Sequence, residues 1–330
     1  MSRTPPTAAR AVAIAAAITV VLALVASWFA WPARELEPRD LPVVVAGPPP
    51  VAAAVADQLR AERPGAFEVT TVGDAAAADQ KLRGREAYAA FVVGAGGVSL
   101  HVASAASPIV SGLLTQAAQQ LGSASGRPVQ VVDVVPGGPD DPRGSGFGSG
   151  FLPLVLASMI VGIVLALQVP DKLARLLGLV AFAGFAGLVG SAVLNWLGLV
   201  AGSYFAVAGA IGLLALAVSS TVSGLAAVLG PPGIGLGVLT VFLFGNPISA
   251  IAAAPELLPQ PWGAIGQLLP PGAGATLLRS AAFFDGAGTA APLWTLLAWA
   301  AAGLALLALG RATAAPRART QEVTLEGAAA

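Results

Sequence analysis

Cysteine is absent from the chain, which excludes disulfides, thiolate metal sites and a cysteine nucleophile. His101 is the only histidine and no serine sits in a G-x-S-x-G elbow, so no metal ion, cofactor or catalytic group is called for and no enzyme is expected. Lysine occurs only at Lys81, after Gln80, and Lys172, after Asp171, so the phosphate-cradling G-x-x-x-x-G-K-[ST] loop is missing. Any ATP chemistry must come from another subunit. Basic and acidic residues balance at 17 each, with no basic cluster, which argues against a nucleic-acid partner. Charge itself is scarce: 10% of residues are charged against 56% hydrophobic, and mean hydropathy is +0.80. A water-soluble core of this size needs a more charged shell, so the lipid bilayer is the expected environment.

What is present is a set of long apolar runs. Residues 11 to 31, after Arg10, are continuous enough to cross a bilayer and close on Trp28, Phe29 and Trp31. An uncleaved anchor is expected there, with a cleaved signal peptide as the alternative. Between 32 and 150 the charges return. LPVVVAG (41 to 47), FEVTTV (67 to 72), AYAAFVVG (87 to 94), VSLHVAS (98 to 104) and PVQVVDVV (128 to 135) read as strands, separated by three segments of helical period. That alternation predicts a small, mainly parallel α/β sheet, and PGGPDDPRGSGFGSG (136 to 150) reads as a linker.

Further apolar runs at about 151 to 169, 176 to 199, 203 to 229, 231 to 250 and 291 to 310 bring the expected spans to six. Lys172 and Arg175 share one loop, and Arg311, Arg317 and Arg319 follow the last run; the positive-inside rule therefore places both termini in the cytoplasm and the α/β domain outside. The expected fold is an α-helical polytopic membrane protein of six transmembrane helices, with an extracytoplasmic α/β domain between the first two. Its parts are 1–31, 32–150, a membrane domain at 151–310 and a cytoplasmic tail at 311–330. Heavy use of Ala, Gly, Val, Leu, Pro and Arg suggests a GC-rich bacterial genome, hence a bacterial plasma membrane.

The arrangement, together with LPVVVAG, DAAAADQKLRGREAYAAFVV and GNPISA…LLPQPWGAIGQLLPPGAGATLLR, resembles the permeases of type-2 ABC exporters and their YhgE/Pip-like relatives. The resemblance implies a homodimer or heterodimer, a separate ATP-binding subunit and outward movement of a hydrophobic or amphipathic substrate. It also implies that the cytoplasmic loop carrying Asp171, Lys172 and Arg175 couples to the ATPase; a merely topogenic loop is the alternative. A non-transporting envelope scaffold or secretion accessory, whose outer domain binds a partner, is the alternative function.

Asn195, Ser219, Ser220, Thr221, Ser223 and Thr240 are polar positions within apolar runs, suited to a substrate path or to hydrogen bonds between helices. GIGLGV (233 to 238) lies in an apolar run with no preceding strand, so close helix packing explains its glycines better than a dinucleotide. Segment 247–286 is rich in proline yet nearly uncharged. Asn246 and Pro247 are expected to break and restart a helix, and Pro255, Pro259 and Pro270 to cut the chain beyond them into short helices around Trp262. The expectation is a re-entrant segment half-sunk in the outer leaflet, with Arg279 snorkelling to the headgroups; an interfacial loop is the alternative.

Overall fold

The computed structural model describes residues 7–94, 97–142 and 144–310. Arg3, the linker residue Arg143 and the tail with Arg311, Arg317 and Arg319 lie outside the described residues. The chain opens with helix α1 (Thr7–Arg34), and then alternates: β1 (Leu41–Ala46), α2 (Pro49–Glu62), β2 (Phe67–Val72), α3 (Ala75–Arg83), β3 (Ala89–Gly94), β4 (Gly97–Val102), α4 (Pro108–Ser125) and β5 (Gln130–Asp133). The strands form one sheet in the order β2-β1-β3-β4-β5. Three pairings are parallel and the β3–β4 hairpin is antiparallel.

Side-chain alternation sets the faces of this unit. Val43 and Val45 of β1 point to the face covered by Ala52 and Ala56 of α2 and by Val110 of α4, while Val44 and Ala46 point to Ala78 and Leu82 of α3. The helix starts are capped as their residues predict: Asp74 accepts from the Ala77 amide at 2.8 Å and Ser107 from the Val110 amide at 3.3 Å.

Among the described residues, five helices are long and apolar enough to cross a membrane: α1, α5 (Ser145–Gln168), α6 (Lys172–Trp196), α7 (Tyr204–Leu229) and α11 (Ala290–Leu309). The sixth expected run is not among them. It forms α8 (Pro231–Val238) and a π-helical continuation, Leu239–Gly245, together 15 residues. That is about 22 Å of helix, short of the roughly 30 Å of hydrocarbon in a bilayer. The chain then passes through a 3-10 turn (Pro255–Leu257), α9 (Trp262–Gln267) and α10 (Pro270–Phe283) before α11.

Helix α7 is the most buried of the five and forms the bundle axis. Its neighbours reach it through glycines. A Cβ on Gly303 of α11 would lie 2.5 Å from the Ser220 carbonyl carbon, and one on Gly162 of α5 would lie 2.6 Å from the Ser219 oxygen. Between apolar helices in an apolar solvent, close backbone approach supplies the dispersion contact that the hydrophobic effect does not. The same logic accounts for GIGLGV, where Gly237 faces Val222 of α7. Helix α1 stands apart, its apolar stretch unburied, and touches the rest only near its end. There the Trp28 indole donates to the Leu243 carbonyl at 2.6 Å, and Phe29 meets Phe242.

The bundle has two distinct ends. At one lie the 169–171 loop, Gly230 and the close of α11, tied by the Lys172 ammonium donating to the Ala308 carbonyl at 2.9 Å. At the other lie the sheet, residues 197–203 and segment 246–286, where Asp140 donates its amide to the Gly198 carbonyl at 3.2 Å.

Replacing Gly303 by Val should force α7 and α11 apart, lowering stability by about 1–3 kcal/mol. A lower thermal midpoint of the detergent-solubilised protein is the expected readout. Gly184→Ala, where a Cβ meets open space, should leave the midpoint unchanged or raise it.

Candidate functional site

The residues expected to couple to an ATPase make a tight turn with no helix of its own. Asp171 caps α6, accepting from the Ala174 amide at 2.7 Å. Arg175 is buried (2% exposed) and donates to the Val169 carbonyl, at 2.7 Å from Nη2, and to the Ala166 carbonyl at 3.2 Å. With Lys172 bonded to α11, the three charged side chains staple helix ends together.

Several polar positions of the bundle bond to backbone carbonyls of their own helices. Ser219 and Thr221 donate to the carbonyls of Ala215 and Ala217 in their own helix, each at 2.7 Å, and Asn195 donates back to Ser191 O at 2.9 Å. Of these side chains, Ser220 alone reaches another helix, at 3.5 Å from Ala300 O. Thr240 likewise bonds within its own turn. His101 sits in β4, its Nδ1 2.6 Å from Asp79 Oδ1, in a structural contact between strand and helix.

Segment 246–286 is different, because it packs on both bodies. No helix restarts at Pro247. Instead the Asn246 carbonyl accepts from the Ser249 amide and hydroxyl, closing a turn, and helical structure returns only at Pro255. Ala253, Ala254, Leu257 and Leu258 enter the same core as Val43 and Val45 of the sheet. Pro270 starts α10, whose Ala273, Leu277 and Leu278 pack into the bundle core. Trp262 closes an aromatic cluster with Trp28 and Trp31 of α1, at centroid distances of 5.3 and 6.1 Å. Pro259 precedes this helix as an acceptor for the Trp262 amide.

Arg279 does not snorkel. It is 4% exposed, donates to the Ile251 carbonyl at 2.6 Å and lies over the Phe147 ring at 5.4 Å. Its turn of α10 faces the segment and α5 rather than the outside, so a loop carbonyl and an aromatic face take the place of headgroups.

Where the segment meets the sheet unit, three polar side chains converge that no motif marks in the sequence. Tyr88, just ahead of β3, donates its hydroxyl to Glu256 Oε2 at 2.8 Å. Arg85, in the turn after α3, has left-handed backbone (φ 57°), unusual for a non-glycine residue. Its Nη1 donates to the Thr276 carbonyl at 3.0 Å and to the Ser280 hydroxyl, and its guanidinium stacks on Phe284 at 5.1 Å. Burial lowers the Arg85 pKa, opposed by nearby Tyr88 and Glu256. Burial also raises the Tyr88 pKa, and the Glu256 carboxylate adds to it, so the phenol stays protonated as the donor. The three side chains line a cavity of about 520 Å³ that extends to the start of α11 at Ala291, Pro292 and Thr295.

Comparisons with protein-family models, curated proteins and solved structures find no match to this chain.

Tyr88→Phe removes the donor to Glu256 and should cost about 1–2 kcal/mol. Because the folded pKa of Tyr88 is raised, its contribution is complete below the unfolded value near pH 10 and is lost as pH rises above it. The alkaline fall in wild-type thermal stability should therefore be shallower in Tyr88→Phe, as measured by unfolding curves between neutral and strongly alkaline pH.

Proposed function

We propose that the chain is a polytopic protein of a bacterial plasma membrane, of the type-2 ABC permease kind, that exports or helps to export a hydrophobic or amphipathic substrate. It works as a homodimer or heterodimer with a separate ATP-binding subunit. The observation that carries this reading is the layered end of the bundle: segment 246–286 lies between the sheet and the long helices and bounds a cavity there. Helix α8 with its π-helical continuation starts at the far end and, at 15 residues against 20 in α11, stops about one and a half turns short of a full crossing. The following segment therefore belongs partly within the membrane thickness, as a re-entrant element does. Lys172 and Arg175 at the opposite end support a cytoplasmic assignment for it by the positive-inside rule, with the sheet unit outside and both termini inside.

One observation favours the second reading, an envelope scaffold without transport. The 169–171 loop carries no helix, and Asp171, Lys172 and Arg175 each have partners within the chain. An ATPase has little there to grip.

The absence of native cysteine allows a direct topological test. Asp285→Cys and Ser104→Cys should react with an impermeant maleimide in intact cells, and Lys172→Cys should react only after lysis. For transport, cells lacking the gene should accumulate more of an amphipathic dye than cells expressing it. Unchanged accumulation across cationic, zwitterionic and anionic amphiphiles would favour the scaffold.

A further inference from the structure

We infer that the cavity between the sheet unit and the short helices binds the zwitterionic headgroup of an amphiphile, one carrying an ammonium and a phosphate on apolar chains. Arg85 and Glu256 face the same cavity, yet they do not form an ion pair with each other. Each is held by neutral groups instead: Arg85 by a carbonyl, a hydroxyl and a ring, Glu256 by a phenol. Half-buried charges carry a desolvation penalty that a direct pair would offset, and the framework keeps them apart. The left-handed backbone at Arg85 and the anchoring of the Glu256 carbonyl by the Arg39 amide, at 3.0 Å, fix both positions before any ligand arrives.

A group with separated opposite charges completes this arrangement. The planar guanidinium suits a phosphate, and the carboxylate suits an ammonium. An anion alone would leave Glu256 unmatched, and a cation alone would leave Arg85 unmatched. Ala264, Leu268, Ala291 and Pro292 give the cavity apolar lining beside Gln260, Gln267 and Thr295, and Leu268 is 64% exposed. Trp294 on the neighbouring surface of α11 is 69% exposed, as an indole at a lipid interface is. Two opposite charges beside apolar lining and the exposed surface of α11 match an amphiphile standing with its chains along α11.

The inference rests on the membrane reading and names the ligand class of that same site. Full-length protein in dodecyl maltoside is titrated calorimetrically with short-chain phosphatidylethanolamine, short-chain phosphatidylglycerol and chainless phosphoethanolamine. Phosphatidylethanolamine should bind about tenfold more tightly than phosphatidylglycerol, one charge-assisted contact being worth about that factor. Glu256→Gln should erase the preference, and Arg85→Lys should weaken both lipids. Ala264→Trp, which leaves both charges in place, should block phosphatidylethanolamine and keeps the test decisive if a charge variant fails to fold. Equal affinity for the two lipids, a preference that survives Glu256→Gln, or unchanged affinity in Ala264→Trp would overturn the proposal. Phosphoethanolamine binding as tightly as the lipid would overturn the amphiphile in favour of a free headgroup. The membrane reading fails separately, if alkaline carbonate releases the chain from membranes.

Discussion

Helix α11 runs for 20 residues whereas Pro231–Gly245 has only 15, and the chain must nevertheless rejoin the sheet end of the bundle. The shortfall leaves a gap of about one and a half turns that other backbone has to fill. Segment 246–286 fills it, and irregular backbone at that depth is tolerable only when protein buries it. The sheet unit provides the cover on one side and α7 with α11 on the other. The sheet unit is thus joined to the bundle through a shared apolar layer in which Leu257 and Leu258 face the strands and Leu277 and Leu278 face the helices.

A buried layer of this kind creates a polar problem, since 3-10 turns and loop carbonyls have few helical partners. Arginines solve it. Arg39 donates to the Leu257 carbonyl at 2.8 Å, Arg279 to Ile251 and Arg85 to Thr276. Arg39 and Arg279 each hold a piece of irregular backbone against a neighbour, and Arg85 ties the sheet unit to α10, so charges scarce in this chain gather at this junction. Glu256 of segment 246–286 bonds to the sheet unit, and its partner is a phenol rather than a guanidinium. The junction therefore keeps an unpaired charge of each sign beside a cavity, an arrangement that stability alone does not call for.

The opposite end of the bundle shows the contrary economy. Its few charges are absorbed by helix ends: Asp171 at the start of α6, Arg175 on the close of α5 and Lys172 on the close of α11. Capping and carbonyl binding use the unsatisfied amides and carbonyls of helix termini, so they leave a compact turn. The contrast between a plain end and an elaborate end gathers the irregular backbone and the cavity beside Arg85, Tyr88 and Glu256 at the sheet side.

Local chemistry was legible from the residues alone. The strand alternation of LPVVVA and FEVTTV and the apolar length of α1, α5, α6, α7 and α11 depend on neighbours in sequence, whereas the run from 231 to 250 read as a sixth span and is too short for one. Long-range geometry was not. Whether Arg279 reached outward or inward depended on which side of α10 met α5, and Ser219 and Thr221, suited in sequence to a path or to bonds between helices, donate to carbonyls of their own helix. The convergence of Arg85, Tyr88 and Glu256 joins positions some 170 residues apart, the Tyr88–Glu256 bond spanning 168, with no motif to mark it. Periodicity and composition determined which segments are strands and apolar helices, because those depend on local backbone and solvent preferences. Only tertiary packing decided which polar side chains face a cavity and which are consumed in holding the fold, because that choice is made by partners distant in the chain.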